Sequence, residues 1–214
     1  MVEQKVSNLM TEFDSLYPLQ RFILRTRMKS SRSMLVYVAA VSNLNHVAVL
    51  PEVQTALLSW IKAQGSKPSG VLIGGLALSF YSRPRATTDV DLLFLNNDDI
   101  PDQVEGFKRT RKGAFEEKKH HVEIEVTTSH SFRNLPQGIV QKVFDTAVVH
   151  DGIRVASREG LIALKLISAE THRRRLQDLA DVVSLVSDVV VDMKNWPLSN
   201  SQKSDLQSCI EMTK

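Results

Sequence analysis

The chain predicts an α/β (α+β) fold: a small mixed sheet flanked by helices, with helical segments before and after it. Three observations carry that expectation. Val71, Leu72 and Ile73 form a short β-branched and apolar run that stops at Gly74-Gly75. The run Asp89–Phe94 alternates Asp89 and Asp91 with Val90 and Leu92, the period of a strand with two unlike faces. Between and around these runs, apolar residues recur at helical spacing, and alternation of the two kinds of element is the signature of a layered α/β arrangement.

Taken in order, residues 1 to about 48 carry a mixed helical pattern, with Leu16, Leu19, Ile23 and Leu24 on one stripe, and read as a helical extension without a motif. Pro51 suits the first position of a helix, and Val53, Leu57, Leu58 and Ile61 follow at helical spacing. Gly65 to Gly70 is loop. Then come the strand, the glycine turn, a short apolar helix, a basic turn and the Asp89–Phe94 strand. Pro101 suggests another short helix, to about Arg109. His121 to Val126 alternates again, with Val122, Ile124 and Val126 inward and Glu123 and Glu125 outward. Val143–Val149 and Ile153–Ala156 read as paired strands about the hairpin dipeptide Asp151-Gly152. Ser157 caps a helix to about Glu170, a second helix runs from about Arg174 to Ser187, and Trp196-Pro197 separates a last polar helix. The domain expectation is an extension at 1–48, a core at 49–156 and a helical part at 157–214.

Composition narrows the setting. The chain has 214 residues, enough for one good core, with 43% hydrophobic and 24% charged residues. A single cysteine, Cys209, excludes a disulfide framework and suits a reducing cytoplasm. Met34 to Val41 is too short an apolar run to span a bilayer, and the first 30 residues lack a signal-peptide h-region; the expectation is a cytoplasmic protein with no membrane partner. Net charge is only +3, yet it is clustered at Arg25–Arg32, Lys108–Lys112, Lys118–His121 and His172–Arg175. Clusters of this kind suit phosphate backbones, whose neutralisation releases counterions.

Asp89 and Asp91 share a strand face with Cα atoms roughly 6.6 Å apart. At an effective dielectric of about 20, carboxylates ~6 Å apart repel by roughly 2–3 kcal/mol. A cation relieves that repulsion, and oxygen-only ligands point to Mg²⁺ or Mn²⁺ and to phosphate chemistry. A two-metal site, its ions about 3.5–4 Å apart, usually needs a third carboxylate, and Glu123 or Glu125 on the neighbouring strand run fits. Arg85, in the turn before Asp89, suits either the aspartates or a substrate phosphate. Lys165 lies in LIALKLISA, a helix apolar almost all round, where an ammonium needs a partner or must snorkel to water; a triphosphate is one such partner. Asp178 and Asp181, at i and i+3, flank an apolar stripe, where they read as helix-surface charges paired with Arg174 or Arg175. Adjacent His120 and His121 point to opposite strand faces, which disfavours a zinc site. Neither a G-x-S-x-G nucleophile motif nor a Walker A loop is present.

Gly74-Gly75, thirteen further residues, then Asp89-Val90-Asp91 resembles the signature of the polymerase-beta-type nucleotidyltransferase superfamily. The fuller string GGLALSFYSRPRATTDVDLLF is similar to the AbiEii-like group, toxins of type IV toxin–antitoxin systems, and the similarity extends to about Leu185. The resemblance implies a nucleotidyltransferase fold in which Gly74 and Gly75 face the triphosphate of an NTP and Asp89 and Asp91 hold Mg²⁺. It favours Glu125, in VEIEVTTS, as the third acid, with Glu123 second. It places Lys165 and Arg85 at the nucleotide, and Asp178, with Arg175 behind it, in the same site. The implied reaction moves a nucleoside monophosphate from an NTP to an acceptor such as a tRNA end, with a cognate antitoxin as partner. A small-molecule acceptor of the aminoglycoside kind, a protein hydroxyl, or a silent RNA- or protein-binding module on the same fold are the alternatives.

Overall fold

A computed structural model describes residues 50–65, 70–82, 86–111, 113–129, 135–171 and 175–213, with only the backbone at Gln137 and Arg175. The N-terminal extension, Arg85, the Arg25–Arg32 cluster and His172 to Arg174 lie outside the described residues, as does the side chain of Arg175.

Helix α1 (Pro51–Gln64) begins with proline at its first position and buries Val53, Ala56, Leu57 and Trp60. Strand β1 (Val71–Ile73), buried throughout, passes directly into the one-and-a-half-turn helix α2 (Gly74–Leu78). Strand β2 (Asp89–Phe94) returns antiparallel to β1. After a single 3₁₀ turn at Asn97–Asp99 come β3 (Phe107–Arg111), β4 (Ala114–Glu117) and β5 (Glu123–Thr128). Helix α3 (Gln137–Asp145), the hairpin β6 (Val148–His150) and β7 (Ile153–Val155), and helices α4 (Arg158–Thr171), α5 (Arg175–Val186) and α6 (Asn200–Glu211) complete the described chain. The strands form one mixed sheet in the order β3-β4-β5-β2-β1-β7-β6.

Two expectations are corrected. The segment after Pro101 is not a helix: Gly106 adopts φ +83° and the chain enters β3, paired antiparallel with β4. A left-handed residue ends any helical run, and a hairpin closed at Gly113 (φ +81°) supplies backbone partners that an isolated turn of helix could not. Nor is Val143 in a strand. It belongs to α3, where Ile139, Val140 and Val143 are fully buried at helical spacing, and the strand pairing begins only at Val148.

The predicted cap at Ser157 is present, its Oγ accepting from the Gly160 amide at 3.1 Å. Arg158 then ties the elements around it together. It donates to the Leu185 carbonyl at 2.7 Å and to the Tyr81 carbonyl at 3.1 Å, while the Tyr81 hydroxyl donates to the Ala156 carbonyl. One apolar cluster runs from Val53 through the sheet to Leu206 and Cys209, so the sheet and the C-terminal helices share a core. Trp60 meets Phe107 and Phe115 edge-on at 5.3 and 5.1 Å. Phe115, Ile124 and Val90 are in register and therefore on one sheet face, so α1 covers that face and leaves the opposite one to the acids. No helix among the described residues is long and apolar enough to cross a membrane.

Candidate active site

Strands β2 and β5 pair in parallel, with Asp89 opposite Glu123 and Asp91 opposite Glu125. Because opposed residues share a face, the pleat that buries Val90, Ile124 and Val126 turns four carboxylates to the other side. Asp89, Asp91 and Glu125 come closest: each offers one oxygen, and the three oxygens lie within 4.8 Å of one another. All three residues are half-buried. Glu123 is drawn elsewhere. Its Oε1 accepts a 2.6 Å hydrogen bond from Arg111 Nη2, which is 3.6 Å from Glu125. That hydrogen bond, then the charges of Glu123 and Glu125, raise the already high pKa of the guanidinium.

Gly74 explains why a glycine stands at the end of β1. Its φ is +67°, and a Cβ there would lie 1.8 Å from Asp91 Oδ2. The left-handed turn and the missing side chain together let the backbone touch the carboxylate. Gly75 is buried within α2. Thr87, which no sequence motif singles out, is buried and donates at 3.1 Å to Asp89 Oδ1, fixing that carboxylate's rotamer from the strand entry. Three hard oxygen donors converging from two strands, with room enforced by Gly74, fit a divalent cation of the Mg²⁺ or Mn²⁺ type.

Lys165 belongs to a second cluster. On α4 it faces α5, and its Nζ is 3.0 Å from Asp178 Oδ1 and 2.8 Å from Asp181 Oδ2. The Lys165 side chain is only 12% exposed, and its ammonium meets carboxylates of the protein instead of snorkelling to water. Burial alone would pull its pKa down, but Asp181 and Asp178 together outweigh that and hold it above its usual value. Asp178 and Asp181 are buried as well, not surface charges. Sequence reasoning names Asp181 without assigning it to the site; its equal claim on Lys165 rests on a contact between helices that spacing alone does not reveal. The histidines part, His120 toward Glu117 and His121 toward Glu116, but at a turn before β5, where His121 has φ +59°, and not on the strand that the sequence suggests.

Residues 55–195 match the family model described as "Nucleotidyl transferase AbiEii toxin, Type IV TA system". The chain belongs to that family. It is thus a nucleotidyltransferase, and the matched span includes both the carboxylate cluster and the Lys165 cluster. A comparison with curated protein sequences gives no match. Among solved structures, the nucleotidyltransferase is similar to JHP933 from Helicobacter pylori at 18% identity and a TM-score of 0.34, covering 78% of this chain and 92% of that one. It is also similar to a second H. pylori protein, assigned to the nucleotidyltransferases, at 16% identity and a TM-score of 0.32, covering 77% and 94%. The family assignment rests on the sequence match, since global likenesses of that size carry no argument of their own. Membership implies a nucleotide substrate and an antitoxin partner.

Proposed function

We propose that this AbiEii-family toxin moves a nucleoside monophosphate from an NTP to a hydroxyl of an RNA acceptor, a tRNA end in the first instance, and releases pyrophosphate. The observation that supports this best is the meeting of Asp89, Asp91 and Glu125 within 4.8 Å of one another, against a glycine that leaves no side chain in the way. Asp89, Asp91 and Glu125 would hold Mg²⁺ or Mn²⁺. Such an ion, when bound, lowers the charge on the phosphates and orients them.

The protein's own part is positioning. Thr87 holds Asp89, the Gly74 backbone admits the triphosphate beside Asp91, and Glu125 orients the acceptor hydroxyl. The acceptor oxygen bonds to the α-phosphorus, the bond from that phosphorus to the bridging oxygen breaks, and the hydroxyl proton passes to water. Lys165 is the nucleotide's contact on α4, for which the phosphates must compete with Asp178 and Asp181, and Arg85 supplies positive charge from the turn before β2. Lys108, Arg109 and Arg111 form an exposed basic strand at the sheet edge, which suits an RNA backbone. Residues 49–156 are the catalytic core in this reading, 157–214 its helical support and 1–48 an extension; the protein works in the cytoplasm and is restrained by a cognate antitoxin.

The deciding experiment incubates the protein with each labelled NTP and total tRNA in Mg²⁺, beside Asp91→Asn. Label entering tRNA with the parent protein alone is the expected result. Label on a small hydroxylated molecule, with none on RNA, overturns the RNA acceptor. No transfer to any acceptor, with salt-sensitive RNA binding retained, overturns the enzymatic reading of this site.

A further inference from the structure

The basic edge strand reaches the carboxylate centre through one side chain. Pairing runs in register from Arg111 on β3 to Ala114 on β4, to Glu125 on β5 and to Asp91 on β2. A row across four strands therefore carries arginine, alanine, glutamate and aspartate on one face. The register shift between Arg109 and Arg111 decides which arginine joins it. Without the shift, residues two apart would share a face; with it, Arg109 lies over the Phe115 ring, 5.5 Å from its centroid, on the opposite side. Ala114 then presents only a methyl to be crossed, and the Arg111 guanidinium spans β4 to reach both glutamates of β5. Its Nη2 is 2.6 Å from Glu123 and 3.6 Å from Glu125.

We propose that Arg111 is a positioning residue, a resident cation that competes with the divalent ion for Glu125, and that Glu123 serves to draw it aside. This rests on the reading of Asp89, Asp91 and Glu125 as ligands of that ion. Four carboxylates in two registered pairs repel one another, and a guanidinium between the two glutamates offsets part of that repulsion while the ion is away. The shorter contact goes to Glu123, which makes the hydrogen bond; Glu125 is held by charge at the longer distance. An arriving ion therefore takes Glu125 while Arg111 stays on Glu123. The arrangement also divides the labour between two glutamates that the sequence leaves equivalent.

The test is Mn²⁺ binding to metal-free protein, followed by electron paramagnetic resonance of the free ion and by titration calorimetry, with no nucleotide present. Arg111→Gln removes the competitor, so Mn²⁺ should bind tighter by about two- to fivefold, the span of an exposed ion pair. Glu123→Gln releases Arg111 onto Glu125, so binding should weaken by about the same factor. The double variant should regain at least the parent affinity. Unchanged or weaker binding in Arg111→Gln overturns the proposal. So does Glu123→Gln weakness that survives in the double variant, which would make Glu123 a ligand itself. Asp91→Asn is the separate arm: if it binds Mn²⁺ as tightly as the parent, the carboxylate centre is not the ion site and both readings fall. If it loses Mn²⁺ while Arg111→Gln leaves affinity unmoved, only the role of Arg111 falls. Melting curves of all variants confirm that each is folded.

Discussion

Gly74→Ala separates a glycine needed for its backbone angle from one needed for the space beside a carboxylate. At φ +67° an alanine incurs left-handed strain of about 1–2 kcal/mol. The new methyl would also start 1.8 Å from Asp91 Oδ2, whereas ordinary contacts begin near 3.4 Å. The carboxylate or the turn must therefore give by roughly 1.5 Å, and a misplacement of about 1 Å costs on the order of a hundredfold in rate. Gly152 provides the control. It has φ +82° and nothing within 4 Å of the point where a Cβ would stand, so Gly152→Ala carries the strain without the collision. Both variants should lose a few degrees of melting temperature, at about 2–4 °C per kcal/mol for a chain of this size. Only Gly74→Ala should lose nucleotidyl transfer, by about a hundredfold or more, together with Mn²⁺ affinity. Parent-like transfer and Mn²⁺ binding in Gly74→Ala would refute the close approach as the reason for this glycine.

Asp89→Asn and Asp91→Asn should each abolish transfer with the fold retained, read by labelled product and circular dichroism; parent activity across a Mg²⁺ series would remove the residue from the site. Thr87→Val keeps the shape but loses the hydrogen bond to Asp89, so transfer should fall more than melting temperature does. The Cys209 thiol, buried and near Asp205, is pushed up to about 11, so a thiol reagent at pH 8 should react slowly with folded protein and at the ordinary rate once denaturant opens it. Equal rates in both states would contradict the burial.

Much of the acid-bearing half of the sheet was legible because one face is buried and the other carries acid. Wherever that contrast exists, at Asp89–Phe94 and Glu123–Thr128, the period of two is written into the residue types. The edge strand β3 lacks the contrast: of FKRTR only Phe107 is buried, so the segment reads as a charge cluster, and Pro101 then imitates a helix start. Helix α3 failed for the opposite reason. Its last turn, Val143–Phe144–Asp145, runs on through Thr146 and Ala147 into the valines of β6, with no glycine or proline between them to mark the change of period. Which glutamate joins the aspartates could not be read from either strand alone, because it depends on the β2–β5 register and on an arginine from two strands away. Thr87 could have been found, since a hydroxyl two residues before an acid at a strand entry is a common local hydrogen-bonding arrangement.

Lys165 shows how the surroundings change what a substitution tests. From sequence, Lys165→Met should keep the helix and its packing, and a nucleotide role alone would lower activity at an unchanged melting temperature. The structure alters that expectation, because the ammonium sits between two buried aspartates. Removing it leaves both carboxylates without that partner, and breaking a buried pair by deleting one member costs about 3–5 kcal/mol. A loss of melting temperature is therefore expected from Lys165→Met whether or not the lysine touches a nucleotide. Asp178→Asn with Lys165→Met should lose less than the sum of the single variants, since the second substitution neutralises a carboxylate that has already lost its lysine. The pH dependence has a definite sign. The folded-state pKa of Lys165 is raised above 10.5, so its contribution is fully present below 10.5 and is lost as pH rises through the higher folded value. Above pH 10.5 the parent should therefore progressively lose its advantage over Lys165→Met, as measured by denaturant midpoints. A variant as stable as the parent at pH 8, with slowed transfer, would mean that the two aspartates are neutralised from elsewhere and that Lys165 serves the nucleotide alone.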